Sequence, residues 1–506
     1  QLVRVREWSQ LSRTGDLNEL SDKDLKSVGG LVTSTTDNCL GGECPSVDVC
    51  PLYRAREKAV HADIVIVNHH LLMADLAMKE ESISSLLPSA DVVIVDEAHQ
   101  ISSVARHFFG ETVTSGQLME LSRDVKRELQ LLGNDNPELR RSVMGYEDSV
   151  NGLLRVFSMN AAIELEELLT MVEIQDAIDE MDLSFSTLAE LLEASAIRSK
   201  VLQQCYQRCL RLMDRFAVLT EQVEADSVYA HWIERQEKSF TLRLSPVVIA
   251  DSLSPFFQEP DKSWIFTSAT LSVAEKFDHA RSALGLEDDP EYRFESPFDF
   301  SEQVRGLIPR GIPVPGSNDH TTALMAFCLP ILKANQGRSF ILFTSYKALH
   351  AARAIIAETG GINYLVQGAM SRQKLLDKFK IIPRCVLLAT QGFWEGIDVK
   401  GTDLRCVVID KLPFTNPSDP LHVAQMRLAA AKGENGFSSV SIPDAAIALK
   451  QGFGRLIRQE SDRGLFVLGD NRVLTKSYGG KFLKSLPDMP WLGSQQEAIT
   501  YMESLD

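Results

Sequence analysis

Three groups of residues in this sequence have the types and spacing to do chemistry. Asp96 and Glu97 are adjacent carboxylates directly after the apolar run Val92-Val93-Ile94-Val95. One carboxylate at such a place can hold Mg²⁺, which takes few protein oxygens and keeps the rest of its sphere for water and phosphate. Its neighbour can orient or deprotonate a water for attack on a phosphoryl group. Far downstream, Arg455 and Arg458 stand three apart, with Gln451 one turn before and Gly454 beside them. That spacing predicts a helix that projects both guanidinium forks from one face, able to clamp phosphate oxygens during phosphoryl transfer. The third group is Cys39, Cys44 and Cys50, interleaved with Gly41, Gly42, Pro45 and Pro51. Three thiols in twelve residues of Gly- and Pro-rich loop look like metal ligands. An iron–sulphur centre and a zinc site both fit, and each needs a fourth ligand. None lies nearby, so the fourth is expected upstream of residue 1.

Two further segments join these. Thr267-Ser268-Ala269-Thr270 closes an apolar run with hydroxyls, which suit either an ordinary turn or a hydrogen-bonded link between phosphate state and domain movement. Between Gly392 and Gly401 lie Phe393, Trp394, Glu395, Gly396 and Asp398. Glycines at a strand's end let the backbone approach a phosphate or sugar. Asp398 could accept from a ribose hydroxyl or bridge to a partner domain. Phe393 and Trp394 suit either a core or a stacking surface for an unpaired base, with core favoured for at least one.

Positioning such groups takes buried parallel strands. The run Val92–Val95 lacks the alternation of a half-wet strand and is expected to be buried on both faces, with its carboxyl end at the ligand crevice of a doubly wound sheet. Ala62 to Val67 reads as a second buried strand, leading to His69 and His70. Those histidines are better suited to structural hydrogen bonds than to metal, because no third ligand accompanies them. From about 116 to 235 strand-like runs vanish and apolar residues recur every three or four positions, which predicts an inserted helical domain. Cys205 and Cys209, four apart there, are expected in its core. Strands return at Phe240–Leu244 and Trp264–Leu271. From about 295 onward, runs such as Ser339–Thr344, Cys385–Ala389, Cys406–Ile409 and Leu465–Leu468 alternate with helical stretches, the rhythm of a second doubly wound sheet.

Composition narrows the class. The chain has 506 residues, 44% of them apolar and 24% charged, which is enough for several globular domains. No run approaches the roughly 20 apolar residues of a membrane span, and Gln1 to Asn18 does not read as a signal peptide, so a cytoplasmic protein is expected. Eight cysteines in so long a chain do not make a disulfide scaffold. A net charge of −17 excludes a general nucleic-acid coat, so DNA or RNA would have to meet a local basic track. No G-x-x-x-x-G-K-[ST] loop occurs, and Gly479-Gly480-Lys481 has neither the spacing nor the following hydroxyl.

Taken in order, Cys39/Cys44/Cys50, Asp96-Glu97-Ala98-His99, Thr267-Ser268-Ala269-Thr270, Gly392-Phe393-Trp394-Glu395-Gly396-Ile397-Asp398 and Gln451-x-x-Gly454-Arg455-x-x-Arg458 resemble the motif set of the XPD/DinG family of iron–sulphur superfamily-two DNA helicases. The likeness covers essentially the whole chain. It implies two RecA-like α/β domains with Mg-ATP between them, 5′→3′ travel on single-stranded DNA, a four-cysteine [4Fe–4S] insert and an all-helical arch insert. The first RecA-like domain would be incomplete at its amino terminus. The corresponding boundaries are 1–57 for part of the cluster insert, 58–115 and 236–294 for the first RecA-like domain, 116–235 for the arch and 295–506 for the second RecA-like domain.

By the same resemblance Asp96 would bind Mg²⁺, Glu97 would activate water, and His99 with Thr267, Ser268, Ala269 and Thr270 would couple nucleotide to DNA. Glu395, Gly396 and Asp398 would meet nucleotide or DNA, and Gln451, Arg455 and Arg458 would face the γ-phosphate. Cys39, Cys44 and Cys50 would hold three corners of the cluster. Gly392 replaces the serine many relatives have, so no hydroxyl role carries over there. Bacterial members suggest forked DNA, the chi accessory subunit of DNA polymerase III holoenzyme and single-strand binding protein as partners, a nucleoid location, and Trp491 as an anchor for such a partner. Without a phosphate loop the sequence as written is expected not to hydrolyse ATP. A catalytically silent scaffold and a translocase that does not unwind are the rival readings.

Overall fold

The computed structural model describes residues 1–20, 28, 32–33, 39, 41–80, 85–133, 135–159, 165–221, 228–273, 276–286, 289–335, 338–393 and 404–505. By internal contacts the chain forms two compact units, Gln1–Val95 with Gln100–Ile265, and Asp96–His99 with Phe266–Asp506.

In the first unit, strand β1 (Val92–Val95) forms where the sequence places it. A helical body follows. β2 (Glu111–Thr114), β3 (Tyr229–Gln236) and β4 (Ser239–Pro246) make a three-stranded antiparallel sheet in the order β2-β4-β3. Against it pack long helices, among them Ser115–Leu131, Pro137–Met159, Val172–Ser195 and Lys200–Thr220. Their apolar residues fall at three- and four-residue intervals, as along Leu118, Leu121, Val125 and Leu129, and meet in one core with Phe157, Phe185 and Phe216. Cys205 and Cys209 lie in that core, and burial pushes both thiols up to about 12, where neither serves as a ligand or nucleophile.

β5 (Ser263–Phe266) pairs with β1 in a two-stranded sheet. This corrects two expectations. β1 is not buried on both faces: Ile94 is 67% exposed, because among the described residues only β5 lies beside it. Residues 62–67 form no strand, and Ile66 is 93% exposed. Apolar β-branched runs favour strands, but a strand needs a neighbour to take its backbone hydrogen bonds.

The second unit is built on a seven-stranded parallel sheet. Its strands are β6 (Val304–Leu307), β7 (Arg338–Phe343), β8 (Asn363–Val366), β9 (Cys385–Thr390), β10 (Leu404–Ile409), β11 (Gly464–Leu468) and β12 (Trp491–Leu492), in the order β12-β6-β11-β10-β7-β9-β8. Every residue of β7, β9 and β11 is buried. Alternate side chains feed two separate cores. Phe340, Leu342, Leu387, Val407 and Phe466 enter one, and Ile341, Phe343, Leu388, Val408 and Val467 the other. Helices therefore cover both faces, which is why these strands read as unbroken apolar runs. β12 docks beside β6, and the ring of Trp491 covers Gly306 so closely that a Cβ there would meet it at 2.6 Å. Trp491 thus packs on its own sheet while staying 40% exposed. Among the described residues no helix is long and apolar enough to cross a membrane.

Candidate nucleotide site

The site grows from the carboxyl ends of β1 and β5. After Val95 the chain turns sharply. Glu97 takes a φ of 50°, the left-handed region that costs a non-glycine residue energy and that recurs at functional sites. This reversal lets the Ala98 N–H donate to the Thr267 carbonyl at 3.0 Å and starts a short helical turn, Ala98–Gln100. β5 ends at Phe266 rather than continuing to Leu271, which frees Thr267–Thr270 to face that turn with hydroxyls.

The contacts are specific. Thr267 Oγ1 donates to Asp96 Oδ1 at 3.0 Å, and the Glu97 N–H donates to the same oxygen at 2.9 Å. Ser268 Oγ donates to Glu97 Oε2 at 3.2 Å. His99, whose side chain is only 8% exposed, sits between three partners. Its Nδ1 lies 2.8 Å from Ser268 Oγ and 3.2 Å from Thr270 Oγ1, while the Gln451 amide meets its Nε2. Both ring nitrogens are thereby engaged, and Nδ1 also lies 3.4 Å from Glu97 Oε2. Glu97 itself remains 52% exposed, so the network fixes it without removing it from water.

Gln451 comes from the helix Ile442–Phe453, which is amphipathic and packs Ala445, Ala446, Leu449 and Phe453 into the core. The neighbouring Lys450, which the sequence reading missed, reaches the Ser272 carbonyl with Nζ at 3.3 Å. Burial pulls its ammonium pKa down, and Arg293 adds to this. A basic residue directly before Gln451 was the available signal.

Arg455 and Arg458 require a correction. The helix ends at Phe453, with Gly454 as its C-cap, so neither arginine is helical. The three-residue spacing is a true regularity of the sequence, but the helical hydrogen bonding stops at Phe453 and a turn follows. A loop holds Arg458 instead. Asp462 Oδ2 accepts from the N–H groups of Arg458 at 2.8 Å and Gln459 at 2.9 Å.

Other expected residues are placed differently. Phe393 is buried in the core, with the Arg372 guanidinium 5.3 Å from its ring centre, and so packs rather than stacks. Trp394, Glu395, Gly396 and Asp398 lie outside the described residues. Cys39 is exposed and Cys44 and Cys50 half-buried. Cys50 begins the helix Pro51–Val60. Among the described residues no three His, Cys, Asp or Glu side chains gather as a metal site.

Two family models match: DEAD_2 over residues 23–118, and the helicase C-terminal domain over 328–489. The chain is 35% identical to the ATP-dependent DNA helicase YoaA of Haemophilus influenzae, covering 100% of this chain and 79% of that protein. It is 37% identical to Escherichia coli YoaA, covering 99% and 79%. The chain belongs to the XPD/DinG family of superfamily-two DNA helicases. A Bacillus subtilis relative named 3'-5' exonuclease DinG is 29% identical over 95% of this chain and 57% of its own length. A solved XPD helicase shares the fold at a TM-score of 0.56 and 16% identity, covering 88% of this chain and 76% of that one. The family resemblance drawn from the motifs and the expected α/β fold with two RecA-like domains are thus both supported.

Proposed function

We propose that this protein is an ATP-dependent DNA helicase that moves 5′→3′ on single-stranded DNA in replication and repair. The observation that carries this reading is His99, which ties Asp96-Glu97 to Ser268 and Thr270 on one side and to Gln451 on the other. A change at a nucleotide phosphate sensed by Glu97 is thereby felt at the helix that carries Gln451. Magnesium-bound ATP, when present, supplies the transferable phosphoryl group. The residues fit it, since Asp96 and Glu97 are exposed carboxylates with fixed orientation. Asp96 would hold the metal, and Glu97 would position water and take its proton. Gln451, Arg455 and Arg458 would face the γ-phosphate. Glu395, Gly396 and Asp398 would meet nucleotide or DNA. The domain boundaries given above are part of the same proposal.

The test is strand displacement from a 5′-tailed duplex by the full-length protein, with DNA-dependent ATP hydrolysis measured alongside. Glu97→Gln is expected to lower hydrolysis by about 10²-fold or more. Hydrolysis without displacement would reduce the reading to a translocase, and no DNA-dependent hydrolysis would leave a scaffold.

The cluster belongs to this proposal as well. Cys39, Cys44 and Cys50 are the thiols outside the cores, whereas burial raises the pKa of each of the other five. With a fourth ligand they would hold a [4Fe–4S] group. Iron in the purified full-length protein, lost on Cys44→Ser, is expected, and zinc alone would remove the cluster from the reading. The relatedness to YoaA supports the chi subunit and single-strand binding protein as partners, with the exposed part of Trp491 as a contact. Co-elution with chi that Trp491→Ala leaves unchanged would discard that contact.

A further inference from the structure

We infer that Phe414, Phe437 and Tyr478 form a base-stacking platform for single-stranded DNA at the carboxyl end of the central strand β10. The inference rests on the DNA-helicase reading and adds a binding subsite to it. All three rings are partly exposed, whereas Phe340, Phe379 and Phe466 of the same unit are fully buried. They form a continuous cluster, with centroids 5.4 Å apart for Phe414–Phe437, 6.0 Å for Phe414–Tyr478 and 5.3 Å for Phe437–Tyr478. Phe482, fully buried, supports them from below at 5.6 Å from Phe414.

Three devices hold the rings in place. Asp470, fully buried, accepts from Arg472 Nε at 2.9 Å and Nη2 at 2.7 Å, and this fork sets the guanidinium 5.6 Å from the Phe414 ring centre. Gly479 follows Tyr478 where a Cβ would come within 1.9 Å of the Val473 carbonyl oxygen, so only glycine brings Tyr478 this close. Phe437 opens a single π-helical turn, Phe437–Ser441, a distortion that recurs at functional sites. The three rings pack against the core that holds Phe453 and Phe482 and leave part of their surface exposed.

Charge gives the ligand's sign. Residues 472–484 contain Arg472, Lys476, Lys481 and Lys484 and no Asp or Glu, within a chain of net charge −17. Lys476, Lys481 and Lys484 are exposed. Aromatic faces beside a local basic track are how proteins bind unpaired strands without reading their sequence. In an open parallel sheet, ligands meet the carboxyl ends of the strands, which is where Phe414 lies.

The experiment compares binding of the full-length protein to a fluorescent oligothymidylate and to an abasic strand with the same number of phosphates. The wild type should prefer the strand with bases, and Tyr478→Ala and Phe437→Ala should each shrink that preference about 5- to 100-fold, with little change in abasic affinity. Tyr478→Phe should preserve it. Should either alanine variant not fold, photo-cross-linking of bromodeoxyuridine DNA to the wild type localises the contact. Adducts on Phe414, Phe437 or Tyr478 are expected, and adducts only elsewhere would overturn the platform. An unchanged preference in folded alanine variants would overturn it too, while the helicase reading stands. Failure of the wild type to bind either strand would sink both.

Discussion

At the scale of single residues, Asp410 is a carboxylate held well away from its ordinary chemistry. It follows β10, is 1% exposed, and accepts from the N–H groups of Thr344 at 3.0 Å and Lys411 at 2.8 Å through Oδ1. Its Oδ2 is buried without a hydrogen-bond partner among the described residues. Burial raises its pKa to about 7, aided by Asp470 and opposed by Lys411 and the two backbone donors. The sign follows from proton binding. Between the unfolded value near 3.8 and about 7, the folded protein holds a proton that the unfolded chain has released. Stability therefore falls as pH rises through that window and is level above it. Asn at this position keeps an oxygen for the two N–H groups and cannot ionise. Thermal unfolding of the wild type should accordingly lose stability between about pH 4 and pH 7 relative to Asp410→Asn, by an amount on the order of a few kcal/mol. Parallel pH profiles for the two proteins would show that Asp410 ionises freely when folded. His99 makes a different use of its surroundings. Its two nitrogens have separate duties, one meeting Gln451 and one facing Ser268 and Thr270. Neither duty is visible in the sequence, where His99 and Gln451 lie 352 positions apart.

Elements show where sequence suffices and where it does not. The helix Ser115–Leu131 announces itself through Thr114 and Gln117. The structure makes a full capping box of them, with Thr114 Oγ1 accepting the Gln117 N–H and the Gln117 side chain accepting the Thr114 N–H, both at 3.0 Å. Thr114→Ala should lower stability by about 1 kcal/mol in denaturant titration, and Thr114→Ser should restore most of it. An alanine variant as stable as wild type would mean that packing, not the cap, fixes this helix start. The same directness holds for β7, β9, β10 and β11, because strands covered on both faces need apolar side chains at every position. It fails for residues 62–67 and for the burial of β1. Their β-branched composition is that of covered strands, yet whether a strand is covered depends on distant neighbours, not on its own residues. It fails again at Arg455 and Arg458, where a helical period runs on in the sequence past Phe453, at which the helix ends. The candidate site was legible as a set of motifs because each motif is local. Its connections, Thr267 to Asp96 and Lys450 to the Ser272 carbonyl, were not, because they join segments some 170 residues apart.

At the scale of the whole molecule, charge decides how DNA can be held. A chain with net charge −17 repels a polyanion over most approaches, so affinity has to come from a few phosphates neutralised at one place. The stretch 472–484, with four basic residues and no acid, is such a place. Of the four, Arg472 is committed to Asp470, which leaves Lys476, Lys481 and Lys484 to meet phosphates. Each phosphate neutralised on a single strand releases counterions, and the logarithm of affinity falls with the logarithm of salt by about 0.7 per contact. Stacking of bases on Phe414, Phe437 and Tyr478 releases none. The two contributions are therefore separable by titration with salt. Replacing Lys481 and Lys484 together with Gln should lower the slope by about 1.4 and leave the preference for bases over abasic strand intact. Tyr478→Ala should do the opposite. A slope that the lysine substitutions do not move would place the phosphates elsewhere on the molecule. A slope that Tyr478→Ala lowers as much as the lysine pair would mean that the ring orders the basic track rather than meeting the bases.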